Sequence, residues 1–151
     1  MTQRIHSKGP YTHEEYVAGE AGIYPGMLLV LQSDDTVDMH AVAGGRGEAL
    51  FAEEDALQGK TVDDVYTVAN IVSCIIPGLG CEVRALIADG EDLGVGDPVV
   101  SNGDGCLKAL ADLDSAGVDV FVIGRMMEAI DLSGSPTGTN GLARVRITAG
   151  N

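Results

Sequence analysis

Residues 94–110, GVGDPVVSNGDGCLKAL, concentrate glycine, aspartate and asparagine in one short stretch. Three chemistries use such residues: a phosphate cradle, a cation loop, or a tight turn between strands. A dinucleotide fingerprint starting at Gly94 and Gly96 needs a third glycine at position 99, where Val99 stands, and then a helix. An EF-hand loop needs oxygen ligands at its first, third and fifth positions. Counted from Asn102, Cys106 takes the fifth; counted from Asp97, Val99 and Ser101 break the pattern. A looser cation site built from Asp97, Asn102 and Asp104 is the alternative. Asn102-Gly103-Asp104-Gly105 suits turn chemistry, because these residue types tolerate the positive φ of a tight hairpin. Gly59-Lys60-Thr61 echoes the end of a Walker A loop, but Glu54 replaces the glycine that should precede it and would repel phosphate. The chain has no GxSxG and three histidines, so few bases exist to activate a nucleophile. His40 is expected on the exposed polar face of a strand. The acidic pairs Glu14-Glu15, Glu53-Glu54 and Asp63-Asp64 are expected to be solvated, since strand neighbours point apart and carboxylates favour water. No catalytic residue, metal site or cofactor is expected.

Three cysteines without a CxxC, and histidines without matching spacing, argue for free thiols over zinc. A Cys74–Cys81 disulfide is the alternative if Pro77-Gly78 forms a two-residue hairpin turn. The net charge of −14 excludes nucleic acid and anionic membranes as natural partners, because both need clustered Lys and Arg. No Trp is present, which leaves little for a sugar-stacking platform. The opening residues show no apolar signal segment, and no apolar run is long enough to span a bilayer. The expectation is a soluble protein made in the cytosol.

The elements that would position any site are strands. Residues 1–20 are polar and read as an N-terminal arm, with Ile5, Tyr11 and Tyr16 as anchors on a partner; 21–151 reads as a single β domain. TVDMHAVA alternates, with Val37, Met39, Ala41 and Ala43 on one face. CEVRALI alternates with Cys81, Val83, Ala85 and Ile87 inward. NIVSCII is a strand buried on both faces, and PVVS–NGDG–CLKAL is strand, turn, strand. AEEDALQGK offers a short helical turn. VFVIGRMMEAI, after a break at Ala116-Gly117, is a strand interrupted near Gly124. LARVRIT closes the chain with Ala143, Val145 and Ile147 inward and Arg144 and Arg146 outward, the latter two as candidate subunit-interface charges. Short apolar runs closed by Gly, Pro, Asp or Asn, without a long 3.6-residue period, predict an all-β fold. The predicted architecture is a small antiparallel barrel or sandwich with short helical turns and an extended N-terminal arm.

From Gly22 to Ile147 the chain resembles the head decoration, or cement, proteins of tailed bacteriophages. The resemblance lies in GIYPGMLLVL followed by an acidic turn and TVDMHAVA. It continues in ALFAEEDALQGKTVDDVYTVANIV, in EVRALIADGEDLGVGDPVVSNGDGCLKAL, and in VIGRMMEAIDLS with LARVRI. Ala69-Asn70 departs from it, standing where Gly-Asp is common. The resemblance implies a non-enzymatic virion protein, made in the bacterial host cytoplasm, that binds the outer surface of the assembled capsid. Its implied partners are the major capsid protein, whose neighbouring subunits it would brace, and its own copies, as a homotrimer rather than a homodimer. Two other classes compete. A small trimeric β-barrel enzyme of the dUTPase kind finds an echo in Val62–Tyr66 but lacks an Arg-Ser motif and a glycine-aromatic tail. A sugar- or receptor-binding β module would rely on the SGSPTGTNG loop.

Overall fold

The computed structural model describes residues 3–113 and 119–148, so the break expected at Ala116-Gly117 lies outside the described residues. The described chain forms β1 (His6–Lys8), β2 (Tyr11–Ala18), β3 (Leu29–Leu31), β4 (Thr36–Met39), β5 (Phe51–Ala52), β6 (Ile71–Pro77) and β7 (Glu82–Ile87). It continues with β8 (Asp92–Leu93), β9 (Pro98–Ser101), β10 (Leu107–Ala109), β11 (Gly124–Met126), β12 (Ile130–Asp131) and β13 (Gly141–Ile147). Two single 3-10 turns, Ala56–Gln58 and Leu110–Asp112, are the only helical elements among the described residues. The protein is all-β, as its sequence predicts.

Strands β7, β10, β9, β11 and β13 join in that order, and β13 returns to β7, closing a five-stranded barrel. The closing seam runs antiparallel from Gly141↔Ile87 to Arg146↔Glu82. Closure removes the open edges that an isolated sheet would leave. The period-two pattern explains the seam. Val83, Ala85 and Ile87 from β7 and Ala143, Val145 and Ile147 from β13 are all buried in one core, while Arg144 and Arg146 point outward. β8 and β12 form a separate two-stranded ribbon.

A second, five-stranded sheet has the order β3-β4-β2-β6-β5. Its longest pairing joins β2 to β6 antiparallel, from Tyr11↔Pro77 to Val17↔Ile71. This corrects the arm expected over residues 1–20. β1 pairs with β7, through His6↔Val83, and β2 is the middle strand of the second sheet. Ile5, expected as an anchor on a partner, is fully buried in the barrel core. The polar composition misled because β2 is exposed on both faces from Tyr11 to Glu15. Such a strand has no apolar face to reveal it.

The two layers share side chains through β5 and β6. Phe51 and Ile75 pack into the barrel core, whereas Ala52, Val72 and Cys74 pack into a second core with Leu29, Val37 and Tyr66. NIVSCII is therefore buried on both faces over its middle, as predicted for a strand with few polar residues. The Cys74–Cys81 alternative falls away. Both are free and buried, and β6 and β7 belong to different sheets. The turn follows Pro77, with Cys81 N donating to Gly78 O at 3.1 Å.

The glycine-rich stretch is turn chemistry. Gly103 and Gly105 have φ of 90° and 84°, Asp104 Oδ1 accepts from Cys106 N, and Ser101 Oγ accepts from Gly103 N. Asp97 Oδ2 accepts from Gly94 N in the preceding turn. These carboxylates close backbone turns.

Candidate functional site

β2 carries the polar groups that the fold gathers on one surface. In a strand, residues i and i+2 share a face, so Tyr11, His13, Glu15 and Val17 lie on one side and Thr12, Glu14 and Tyr16 on the other. His13 Nε2 lies 2.8 Å from Ser73 Oγ on β6 and 3.9 Å from Glu53 Oε2. Ser73 Oγ donates in turn to Glu53 Oε2 at 3.4 Å. Next to Glu53, the Glu54 carboxylate accepts from Arg4 Nε at 3.1 Å and from the buried Ile5 N at 3.0 Å. Glu54 therefore ties the chain entering β1 to the end of β5.

The expectation that Glu53-Glu54 is solvated is corrected: the two residues are 8% and 4% exposed. They do point apart, each to its own partners. Burial is feasible because every carboxylate finds donors, and Tyr66 Oη donates to Glu53 O at 2.6 Å. Desolvation, then the neighbouring Glu54 carboxylate, pushes the Glu53 carboxyl above its ordinary value, with His13, Ser73 and Arg4 opposing. Glu91 is raised the same way, mainly by burial and despite a hydrogen bond from Ala109 N. The exposed Asp34 and Asp131 and the half-buried Asp64 are lowered by hydrogen bonds from Thr36, Ser133 and Thr61 respectively.

These shifts fix a pH profile. Glu53 and Glu91 bind protons more readily when folded, so they add stability as pH falls from neutral toward their ordinary value of 4.5. Asp34, Asp64 and Asp131 stabilise above 3.8, and that contribution is lost as pH drops through their lowered folded values. Urea midpoints are expected to climb on mild acidification and then turn down. Glu53→Gln is expected to flatten part of the climb; an unchanged slope would mean that Glu53 titrates normally.

His40 is also corrected. It is 3% exposed, because β4 ends at Met39 and the chain turns inward. Its Nδ1 lies 2.8 Å from Ser101 Oγ and its Nε2 3.2 Å from Arg46 O. It braces the glycine-rich turn, whose Gly105 N donates to His40 O at 3.2 Å.

The two arginines proposed as subunit-interface charges have partners within the chain. Arg146 reaches Glu82 Oε1 at 3.2 Å, and Arg144 lies 3.7 Å from both Glu82 Oε2 and Glu128 Oε2. Glu82 is 4% exposed, so the pair neutralises a buried carboxylate across the barrel seam. No neighbouring subunit is needed to explain them. Of the predicted arm anchors, Tyr11 is 43% exposed and its ring packs at a tilt against that of His6, with centroids 4.2 Å apart. Tyr16 is half-buried against the second core, and Ile5 is inaccessible.

Sequence reasoning missed the apolar end of this sheet. Val17 and Ile71 are register partners at the end of β2 and β6, both exposed. Val17 and Val68 line a shallow hollow of about 490 Å³ with Thr36 and Asp38. Ile71 and Val65 line a second hollow of about 260 Å³. These four exposed aliphatics flank the end of the β2–β6 pair, Val17 and Val68 in one hollow and Val65 and Ile71 in the other. The signal available was Val65, Val68 and Ile71 near one another in a turn-rich stretch.

No protein-family model matches the chain. No curated protein matches it. Among solved structures, it is similar to the crystal structure of the head fiber gp8.5 N base in bacteriophage phi29, with a TM-score of 0.55 and 17% sequence identity. The likeness covers 92% of this chain and 95% of the other, so the two share a fold over most of their lengths.

Proposed function

We propose that this chain is a structural protein of a phage head, which binds the outer surface of the assembled capsid and braces neighbouring subunits of the major capsid protein. The observation that carries the reading is the shared fold with a phage head fiber base over nearly the full length of both chains. The resemblance of the sequence to head decoration proteins supports it independently. The chemistry of the described surface supports it too: the buried Glu53, Glu54 and Glu82 are engaged within the fold, and the exposed features include an aliphatic rim and an acidic strand. The reading carries with it a non-enzymatic role without a cofactor, as the resemblance implies. Assembly as a homotrimer would multiply a modest contact over many sites, and a ligand that binds only the assembled shell stabilises it by mass action.

The test is mass spectrometry with gel densitometry on purified virions from the source. The protein is expected at a copy number that is a simple fraction of the major capsid protein, and the fraction identifies the symmetry sites filled. Absence from virions would overturn the reading. Turnover of dUTP by clean protein would favour the small barrel enzyme instead.

A further inference from the structure

β2 has a free edge. Its backbone directions follow from three hydrogen bonds. Pro10 O accepts from Gly78 N, Ala18 N donates to Asn70 O, and Ala18 O accepts from Ala69 N. Even-numbered residues therefore face β6. Gly19 N donates to Val37 O, so odd-numbered residues face the side of β4. But β4 pairs only with Val17 and Ala18. The N–H and C=O groups of Tyr11, His13 and Glu15 consequently point from an edge that no strand among the described residues covers. The stretch is exposed throughout and, at roughly 3.3 Å per residue, offers about 17 Å of template.

We propose that this edge, Tyr11–Glu15, receives an extended basic segment of the capsid protein as an added strand. The inference rests on the capsid-binding reading and names the part of the surface that performs it. An unpaired edge is a template for strand addition, where main-chain bonds supply affinity and alternate side chains supply specificity. The charges select the occupant. Glu15 lies on one face of the edge and Glu14 on the other, so a guest strand meets a carboxylate whichever way its side chains point. Glu48 and Asp35 lie close enough to act on Tyr16. The nearby cation Arg4 is already held by Glu54. On the Glu15 face, the register continues to Thr36 and Asp38, and Asp38 Oδ1 is buried without a hydrogen-bond partner among the described residues. A second copy of this chain fits poorly, because edge-to-edge pairing would bring Glu14 and Glu15 of both chains together, and like charges across strands destabilise. Lys and Arg on the guest strand would pair with them instead.

The experiment compares binding of the full chain and three variants to shells stripped of it. Glu15→Pro removes one outward N–H while leaving the bonds to β6 intact, since proline is tolerated at a solvent-facing edge position. Glu14→Lys with Glu15→Lys reverses the charge and keeps the backbone. Asp92→Lys with Asp119→Lys makes the same charge change at exposed positions elsewhere. Circular dichroism confirms folding of each. The first two are expected to bind at least about tenfold more weakly, the third like wild type. In the wild type, amide exchange at Tyr11, His13 and Glu15 is expected to slow on binding. If Glu15→Pro and the double Glu variant bind as wild type does, the edge proposal fails and the capsid reading stands. If the wild type itself does not bind shells, the capsid reading fails, and a peptide titration decides the edge alone. Saturable binding of (Lys-Val)4 but not (Glu-Val)4, with amide shifts at positions 11, 13 and 15, would support a basic guest strand. No shifts with either peptide would overturn it.

Discussion

Phe51→Ala is expected to lower the unfolding free energy by about 3–5 kcal/mol, the range for emptying a buried phenylalanine site. Phe51 is fully buried and occupies the join between the two layers. Its register partner on β6 is Ile75 and it forms a bridge with Leu28, and all three pack into the barrel core. One residue later, Ala52 turns into the second core. The side chain is therefore the plug by which the second sheet closes over the barrel. β5 is only two residues long, and both its neighbours are paired, so the cavity cannot collapse by a simple strand shift. Urea denaturation of Phe51→Ala should show a lower midpoint with an unchanged slope, because one cooperative unit is weakened. Leu57→Ala is the control. Leu57 is 97% exposed, and its loss should move stability by no more than about 0.5 kcal/mol. Equal effects of the two changes would mean that the layers are not joined through Phe51.

What the sequence made legible follows from where apolar and polar residues alternate. Residues 81–87 and 141–147 alternate cleanly because one face lines a core and the other meets solvent, and the structure pairs these two segments along their length. The turn at Asn102–Gly105 was legible because its backbone demands glycine. β2 was not, since a strand that is wet on both faces reads as disordered text. Burial of Glu53, Glu54 and His40 was equally hidden. Each is compensated by a partner distant in sequence, such as Ile5 N for Glu54 and Ser101 for His40, and no local pattern announces such a partner. The choice between barrel and sandwich was also closed to the sequence. It depends on β7 bonding to β13 and β10 at once, which is a long-range fact. The same limit applied to the site. Tyr11 and Tyr16 were singled out as aromatic anchors on a loose arm, whereas the structure places both on a fixed strand, Tyr11 at its free edge and Tyr16 paired to β6 and packed on the second core. The residues were legible and the element carrying them was not.

Gly124→Ala is expected to be as damaging as any single change in the protein, although it adds one methyl group. Gly124 opens β11, which is held on both edges, by Ile147 of β13 and Val99 of β9. A Cβ built there would sit 2.4 Å from Arg146 O and 2.7 Å from Val145 Cγ1. The first neighbour is backbone, so no rotamer change relieves the clash. Either β11 moves off β13 or β13 moves off β7, and each movement opens the barrel. Glycine in a strand interior commonly marks such a close backbone approach. Overpacking of a site with room to adjust destabilises by about 1–3 kcal/mol. With backbone on one side and a paired strand on the other, the loss should reach or exceed the top of that range. The matching control is Gly134→Ala, where a Cβ would meet nothing within 4 Å and φ is not positive. Thermal unfolding should separate the two variants clearly. Amide exchange should then locate the damage, with faster exchange along β11 and β13 and little change along β2 and β6. If Gly124→Ala melts with the wild type, the close contact between β11 and β13 is not what holds the barrel shut.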